Sequence, residues 1–315
     1  MYRFIVNPIA GSGRAKRIFS KIKRTKLYQQ IDSEFFLTEY SGHAESIARS
    51  ITEEQKKTTC VIVIGGDGTL HEVINGLYPK DLSIAFIPGG SGNDFAKGCK
   101  IKGSSLEIFE QIITEKNSSA YWLGSYQING SDRRLFVNSM GFGFDAEIAV
   151  TANKSGYKKM FNLFGIGALS YVFALVQILF RFQPKDITLE INGKQRYIPE
   201  CWMITIANHP YYGGGMKIIP DAEIRPGTFP VLLIHSISKW KVLALFLTVF
   251  TGKHVNFKEV AVLNANQLKM VADSEVAYQV DGQTSRCLTC TVSKQVQPIS
   301  IKGVKQLDKF EQANL

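Results

Sequence analysis

The sequence predicts an α/β unit built on a parallel sheet, followed by a β-sandwich unit. Three observations predict it. Strand-like and helix-like runs alternate as far as about Ala120, three of those strand-like runs end in glycine-rich turns, and beyond Ala120 strand-like runs follow one another with hairpin signals between them.

The first unit opens with Tyr2 to Val6, a strand that runs into Asn7-Pro8-Ile9-Ala10-Gly11-Ser12-Gly13, after which a basic helix begins near Arg14. This loop lacks the Gly-Lys-Ser/Thr ending of a Walker A motif and the glycine spacing of a dinucleotide-binding turn. Phe35 to Thr38 reads as the second strand, and a helix follows Gly42 from His43 through Ala44, Ile47, Ala48 and Ile51. Val61-Ile62-Val63-Ile64 is a β-branched run that ends in Gly65-Gly66-Asp67-Gly68-Thr69. Leu70, Val73, Ile74 and Leu77 then recur at the spacing of one helix face. Ile84 to Ile87 repeats the pattern, entering Pro88-Gly89-Gly90-Ser91-Gly92-Asn93-Asp94-Phe95-Ala96, and a helix from Ser105 carries Leu106, Phe109 and Ile113. The alternation calls for a parallel sheet covered on both faces, with the glycine turns together at the strands' carboxyl ends.

The second unit reads as strands at Tyr121–Ile128, Leu135–Asn138, Asp186–Ile191, Tyr197, Met203–Ala207, Phe229–Ile234, Leu268–Val271, Val276–Val280 and Cys287–Val292. Asn129-Gly130 and Asn192-Gly193 are hairpin dipeptides. Helical stretches interrupt at about Tyr157–Phe182 and Lys239–Thr251, and the tail from Ile299 to Leu315 is expected to pack back on the first unit. The division is residues 1–127 with 299–315, and 128–298.

A strand, a glycine turn and a helix together point backbone N–H groups and a helix dipole into one small space, which suits phosphate. Asp67 in such a turn either holds a Mg²⁺ or caps a tight strand-to-helix turn. His71, one helical turn on, edges the same pocket or is a surface histidine. Asp281-Gly282 by itself reads as a hairpin turn. Tyr211-Tyr212-Gly213-Gly214-Gly215-Met216 is either a substrate-facing loop or a flexible one.

The 315 residues are 45% hydrophobic, enough for a sizeable core, and the formal charge of +10 favours anionic partners. Arg14, Lys16, Arg17, Lys21, Lys23, Arg24 and Lys26 read as a solvated helix face. No aromatic residues interleave with them as nucleic-acid stacking would need. The five cysteines make no disulfide framework, and Cys287-Leu288-Thr289-Cys290 has no second pair to complete a zinc site. The five histidines show no metal-ligand spacing, and no Ser/His/Asp constellation is evident. The chain enters its first strand without a signal peptide, so a reducing cytoplasm is expected. Leu163 to Phe180 is uncharged but diluted by Gly165, Gly167, Ser170 and Gln177, which reads as a buried or interfacial helix.

Asn7-Pro8 with Gly11, Thr38-Glu39 before Gly42-His43-Ala44, Gly65-Gly66-Asp67-Gly68-Thr69, Gly90-Ser91-Gly92-Asn93-Asp94-Phe95-Ala96, and Asn208 with Gly213-Gly214-Gly215-Met216 occur in one order along nearly the whole chain. In these the sequence resembles the diacylglycerol kinase catalytic family, in its soluble bacterial lipid-kinase branch, which shares its catalytic domain with sphingosine and ceramide kinases. The resemblance implies a nucleotide-binding α/β domain of NAD kinase/diacylglycerol kinase type and a C-terminal β-sandwich domain with the lipid site. It implies ATP contacts at Asn7, Pro8, Ile9, Ala10, Gly11, Thr38, Gly66, Asp67, Gly68, Thr69, Leu70, His71, Glu72 and Ser91. It implies Mg²⁺ near Asp67 and Asp94, and Asp67 and Asp281 as catalytic residues, with Asp281 orienting the acceptor hydroxyl and accepting its proton late in the transfer. The activity implied is ATP-dependent phosphorylation of a membrane lipid, diacylglycerol by default, by a cytoplasmic protein that docks transiently on anionic membrane. The alternatives are a lipid- or nucleotide-binding regulator and an NAD kinase-like enzyme. Three positions depart from the family pattern: Gln283 stands where a glutamate is usual, Trp122 where an aspartate is, and Arg225 near where an aspartate often helps hold a structural Mg²⁺.

Overall fold

The computed structural model describes residues 1–51, 60–80, 82–115, 117–154 and 176–304. Its first sheet contains β1 (Tyr2–Val6), β2 (Ser33–Leu37), β3 (Cys60–Gly65), β4 (Ser83–Pro88) and β5 (Ser118–Tyr121), with a returning strand, Ile299–Lys302, between β4 and β5. The order β2-β1-β3-β4 is parallel throughout, and the returning strand runs parallel to β4 but antiparallel to β5. Since β2 lies on one side of β1 and β3 on the other, the winding reverses between β1 and β3. Such a reversal opens a crevice at the carboxyl ends of the two strands.

Alternate residues of each strand point to opposite faces, and both faces are covered. On one, Phe4, Val6, Ile62, Ile64 and Ile87 pack under α1 (Ala10–Lys23) and α6 (Ser105–Thr114). On the other, Ile5, Val61, Val63 and Phe86 pack under α3 (His43–Ser50) and α4 (Asp67–Leu77). Two short helices, α2 (Lys26–Gln30) and α5 (Asp94–Gly98), complete the unit. The tail returns as expected through the strand at Ile299; residues 305–315 lie outside the described residues.

The second sheet has nine strands among the described residues: β6 (Gly124–Ile128), β7 (Arg134–Phe136), β8 (Ser139–Gly143), β9 (Lys185–Ile191), β10 (Lys194–Ala207), β13 (Phe229–His235), β14 (Val260–Ala265), β15 (Gln267–Val280) and β16 (Gln283–Lys294), while β11 (Tyr211–Tyr212) and β12 (Met216–Lys217) pair with each other apart from it. Its interior is closed by Phe142, Leu189, Ile204, Val231, Met270 and Val292. Several expectations need correcting. The run at Tyr121–Ile128 is two strands in different sheets, because the chain turns at Trp122-Leu123 and β6 pairs with β16. The expected border at 127/128 therefore falls at the end of a strand of the second sheet. Leu268–Val271 and Val276–Val280 are one strand with a register shift between Val271 and Val276. β8, β14 and the helix α7 (Phe144–Lys154) had no distinct signal. Asn192-Gly193 and Asp281-Gly282 are two-residue turns with positive φ at both positions, the mirror-image geometry that suits right-twisted hairpins. Of the helical stretch at Tyr157–Phe182, residues 157–175 lie outside the described residues, and 176–181 are helical. The second expected stretch is the helix Lys239–Thr248.

Candidate active site

The three glycine turns meet through their backbones. A Cβ on Gly11, whose φ is +57°, would stand 2.2 Å from the Gly89 carbonyl oxygen, and one on Gly90 would stand 2.5 Å from the Gly66 Cα. Only glycine permits this approach. Side chains then lock the turns. Asn7 Nδ2 donates to Thr69 Oγ1 at 3.1 Å, Arg14 donates to the Gly90 carbonyl at 3.0 Å, and Asn93 exchanges two hydrogen bonds with the Gly90 backbone. Across from the turns lies the Asp281-Gly282-Gln283 hairpin, and between them is a cleft of about 470 Å³.

Of the residues expected to meet ATP, Asn7, Ile9, Ala10, Gly11, Thr38, Gly66, Gly68, Thr69, Glu72 and Ser91 line this cleft. Pro8 and Asp67 are not part of its wall. Leu70 and His71 are wholly buried: Leu70 belongs to the core beneath α4, and His71 is no surface histidine but faces the Asp281 carboxylate. Glu72 has a structural duty as well, since its carboxylate accepts the N–H groups of Gly42 and Ala44 at the start of α3.

Asp67 also caps a helix, but not its own. Its carboxylate accepts the N–H groups of Asp94 and Phe95 at the start of α5, at 3.1 and 3.0 Å. Asp94 Oδ2 in turn accepts the N–H of Gly214 at 2.8 Å, so the glycine loop of the second unit is tied to the third glycine turn. A Cβ on Gly92 would stand 3.4 Å from Asp67 Oδ2 and 3.7 Å from Asp94 Oδ2, so the two carboxylates converge there. Burial pushes the Asp67 pKa up, and the Asp94 carboxylate adds to this against the opposing Phe95 N–H. Among the described residues no three His, Cys, Asp or Glu side chains form a metal cage. Two convergent carboxylates with lone pairs to spare nevertheless fit Mg²⁺, which keeps several waters and takes much of its shell from substrate phosphates.

Asp281 is the hub of the interface between the units. Oδ1 accepts the N–H groups of Asn138 (2.8 Å) and Ser139 (3.2 Å), while Oδ2 accepts that of Val137 (2.8 Å) and faces His71 Nδ1 (2.8 Å). Both side chains of the Asp281–His71 pair are fully buried. Both carboxylate oxygens are engaged in this arrangement, so Asp281 would meet an acceptor hydroxyl only by giving up one of these bonds. Asn138 extends the network, donating to Asp67 Oδ1 at 3.4 Å and pairing with His209 Nε2 at 2.9 Å. Burial drives the His209 pKa down to about 4, so that ring is neutral. Neither Asn138 nor His209 had a sequence signal beyond its place next to the Asn208 motif or a strand end.

Lys294 is a further buried member. It donates to the Trp122 carbonyl at 2.9 Å and to Asn208 Oδ1 at 2.7 Å. Burial, helped by the charge of Arg225, pulls its pKa down to about 7. The Trp122 position thus offers a carbonyl already held by an ammonium group. These residues do not fit the structural Mg²⁺ that carboxylates near there would hold.

A second cavity, apolar and about 90 Å³, lies inside the second unit between α7 and the helix Lys239–Thr248. One charged group faces it. Asp145 Oδ2 accepts from the Tyr212 hydroxyl at 3.0 Å, Oδ1 has no partner, and burial pushes the carboxyl pKa up to about 7. A folded pKa above the unfolded value means that the native state holds an extra proton between the two. Stability therefore falls as pH rises from about 4 to about 7 and the loss is complete above that. Asp145→Asn removes the titrating group. Its stability relative to the parent should rise by on the order of 3 kcal/mol between about pH 4 and pH 8, read from urea unfolding at each pH. A difference that stays constant with pH would refute the assignment.

Residues 1–123 match the diacylglycerol kinase catalytic domain family, and residues 138–304 match the YegS C-terminal NAD kinase beta sandwich-like domain family. A protein of Bacillus subtilis (strain 168) named "Putative lipid kinase YtlR" is 30% identical over 305 residues, covering 95% of this chain and 98% of its own. A diacylglycerol kinase of Mycobacterium tuberculosis (strain ATCC 25618 / H37Rv) is 27% identical over 292 residues, covering 92% and 90%. In fold, the crystal structure of a diacylglycerol kinase from Bacillus anthracis str. Sterne superposes with a TM-score of 0.67 at 18% identity over 96% of each chain. The glycine turns, the two-unit architecture and these matches along the whole chain agree: it belongs to the diacylglycerol kinase catalytic-domain family and is a lipid kinase of that family.

Proposed function

We propose that this lipid kinase transfers the γ-phosphoryl group of ATP to the hydroxyl of diacylglycerol, giving phosphatidic acid. The observation that carries the reading is the single cleft in which three glycine turns of one unit face the 281–283 hairpin of the other. We take the ATP-binding domain as the first sheet with its helices and returning strand, and the lipid domain as the second sheet.

Phosphoryl transfer asks for positioning and charge neutralisation more than for a strong base. The backbone N–H groups around Gly11, Gly66, Gly68 and Gly90 suit the phosphates, and the Ser91 and Thr38 hydroxyls lie on the same wall. Asp67 and Asp94 are the residues that would hold Mg²⁺, whose charge would offset that of the β and γ oxygens. Asp281 acts as a positioning residue: it fixes the 137–139 backbone and His71, and through Asn138 it steadies Asp67. The hydroxyl proton leaves late in a loose transition state and can pass to an oxygen of the transferred phosphoryl group, so Gln283 in place of a glutamate is compatible with turnover. Diacylglycerol comes from the M. tuberculosis relative and from the family. We infer a peripheral and transient association with the cytoplasmic membrane face.

Labelled ATP incubated with diacylglycerol, sphingosine, ceramide or NAD in mixed micelles is the direct test. Labelled phosphatidic acid is the expected product. A labelled sphingoid base or NADP would correct the acceptor, and ATP binding without transfer to any of them would make the protein a regulator.

A further inference from the structure

The helix Lys239–Thr248 and the turn after it have the sequence Lys239-Trp240-Lys241-Val242-Leu243-Ala244-Leu245-Phe246-Leu247-Thr248-Val249-Phe250-Thr251-Gly252-Lys253. Its only charges are three lysines, all near the ends. The apolar residues divide between two faces. Val242, Leu245 and Val249, at i, i+3 and i+7, are buried and line the apolar cavity beside Asp145. Trp240 and Leu247, at i and i+7, point the other way and are 69% and 73% exposed, with Phe250 in the following turn 58% exposed. Phe180, itself half exposed, stacks its ring edge-on to Trp240 at 5.8 Å, and Lys239 donates to the Phe180 carbonyl. Four large apolar side chains therefore lie uncovered on neighbouring elements, a grouping that folded monomers rarely leave without use.

Charge identifies what covers it. Lys239, Lys241, Lys253 and Lys258 lie along this segment, Arg181 follows Phe180, and the single acid of the segment, Glu259, is held by Lys241. Apolar and aromatic side chains rimmed by lysine and arginine are the composition of a helix lying in a bilayer interface. No helix among the described residues is long and apolar enough to cross a membrane. Among the described residues the outer face of the helix is exposed, and its inner face walls a cavity shared with Tyr212 and Met216, on either side of the glycine loop tied to Asp94.

We propose that Trp240, Leu247, Phe250 and Phe180 form the membrane-docking face of this protein and that an anionic bilayer is its occupant. The face deepens the lipid-kinase reading above without depending on which lipid is the acceptor. The test uses the whole chain with vesicles of phosphatidylcholine, with and without phosphatidylglycerol. Trp240 is the exposed one of three tryptophans, since Trp202 is buried and Trp122 half-buried. Its fluorescence should shift to the blue on anionic vesicles, and Trp240→Phe should remove the shift. The triple variant Trp240→Ala, Leu247→Ala, Phe250→Ala should co-sediment at least about tenfold more weakly, with its unfolding midpoint held because all three side chains are exposed. Turnover of a short-chain diacylglycerol dissolved as monomer should stay at the parental rate. Parental vesicle binding by the triple variant would overturn the docking face. Lost vesicle binding in a protein that phosphorylates no lipid would keep the face and remove the acceptor reading.

Discussion

Asp281→Asn should cost about 3–5 kcal/mol of stability and reduce lipid phosphorylation to background, because it removes the one group that four donors share. The carboxylate accepts three backbone N–H groups, from Val137, Asn138 and Ser139, and faces the buried His71. An asparagine keeps one oxygen and turns an NH₂ group toward donors that have no other acceptor. Two or more buried polar groups then stand unpaired beside side chains that are closed off from solvent. The 137–139 segment leads into β8 and carries Asn138, which reaches both Asp67 and His209. The damage therefore reaches the cleft from behind. Urea unfolding and the labelled-ATP assay, run well below the variant's midpoint, measure the two effects separately. Parental stability with lost turnover would return Asp281 to direct chemistry. Parental turnover would remove it from the site.

That role was not legible in the sequence, and the reason is distance along the chain. Asp281-Gly282 looked like a hairpin turn and is one; nothing local shows that the carboxylate is buried against a histidine 210 residues away. His71 was misjudged for the same reason, because a histidine one turn past Asp67 on an amphipathic helix does not reveal which face the second unit will cover. Lys294 closes β16 like any solvated lysine and is buried by contacts with Trp122 and Asn208. What could be read was local. The β-branched runs of β1, β3 and β4, each ending in glycines, gave the parallel sheet and the shared cleft. β8, Ser-Met-Gly-Phe-Gly, is buried on every residue yet has no β-branched residue and no alternation to mark it. β15 looked like two strands because Asp273-Ser274-Glu275 is polar, and it is there that the register slips.

Asp67→Ala should lower turnover by about a thousandfold or more while costing only about 1–2 kcal/mol of stability, the usual price of losing a helix cap. Its carboxylate does two things that a pair of variants separates. It accepts the first N–H groups of α5, and it converges with Asp94 on the space beside Gly92. Asparagine retains one oxygen for the cap but turns its NH₂ toward the second backbone N–H and lacks the negative charge, so Asp67→Asn should recover only part of the stability and little of the turnover. If the charge holds a divalent cation, the Mg²⁺ concentration for half-maximal rate should rise in Asp67→Asn and in Asp94→Asn alike. The pH profile supplies a further check. Burial and the neighbouring Asp94 hold the Asp67 pKa above the ordinary carboxylate range, so the ionised form is lost at a higher pH than for an exposed aspartate. A bound Mg²⁺ would pull that pKa down, so the acid limb of parental turnover should move to higher pH as Mg²⁺ is lowered, and the residual rate of Asp67→Asn should lack this dependence. Full turnover in Asp67→Asn would leave the residue as a cap alone, and the phosphates would have to be neutralised by the glycine-turn N–H groups without it.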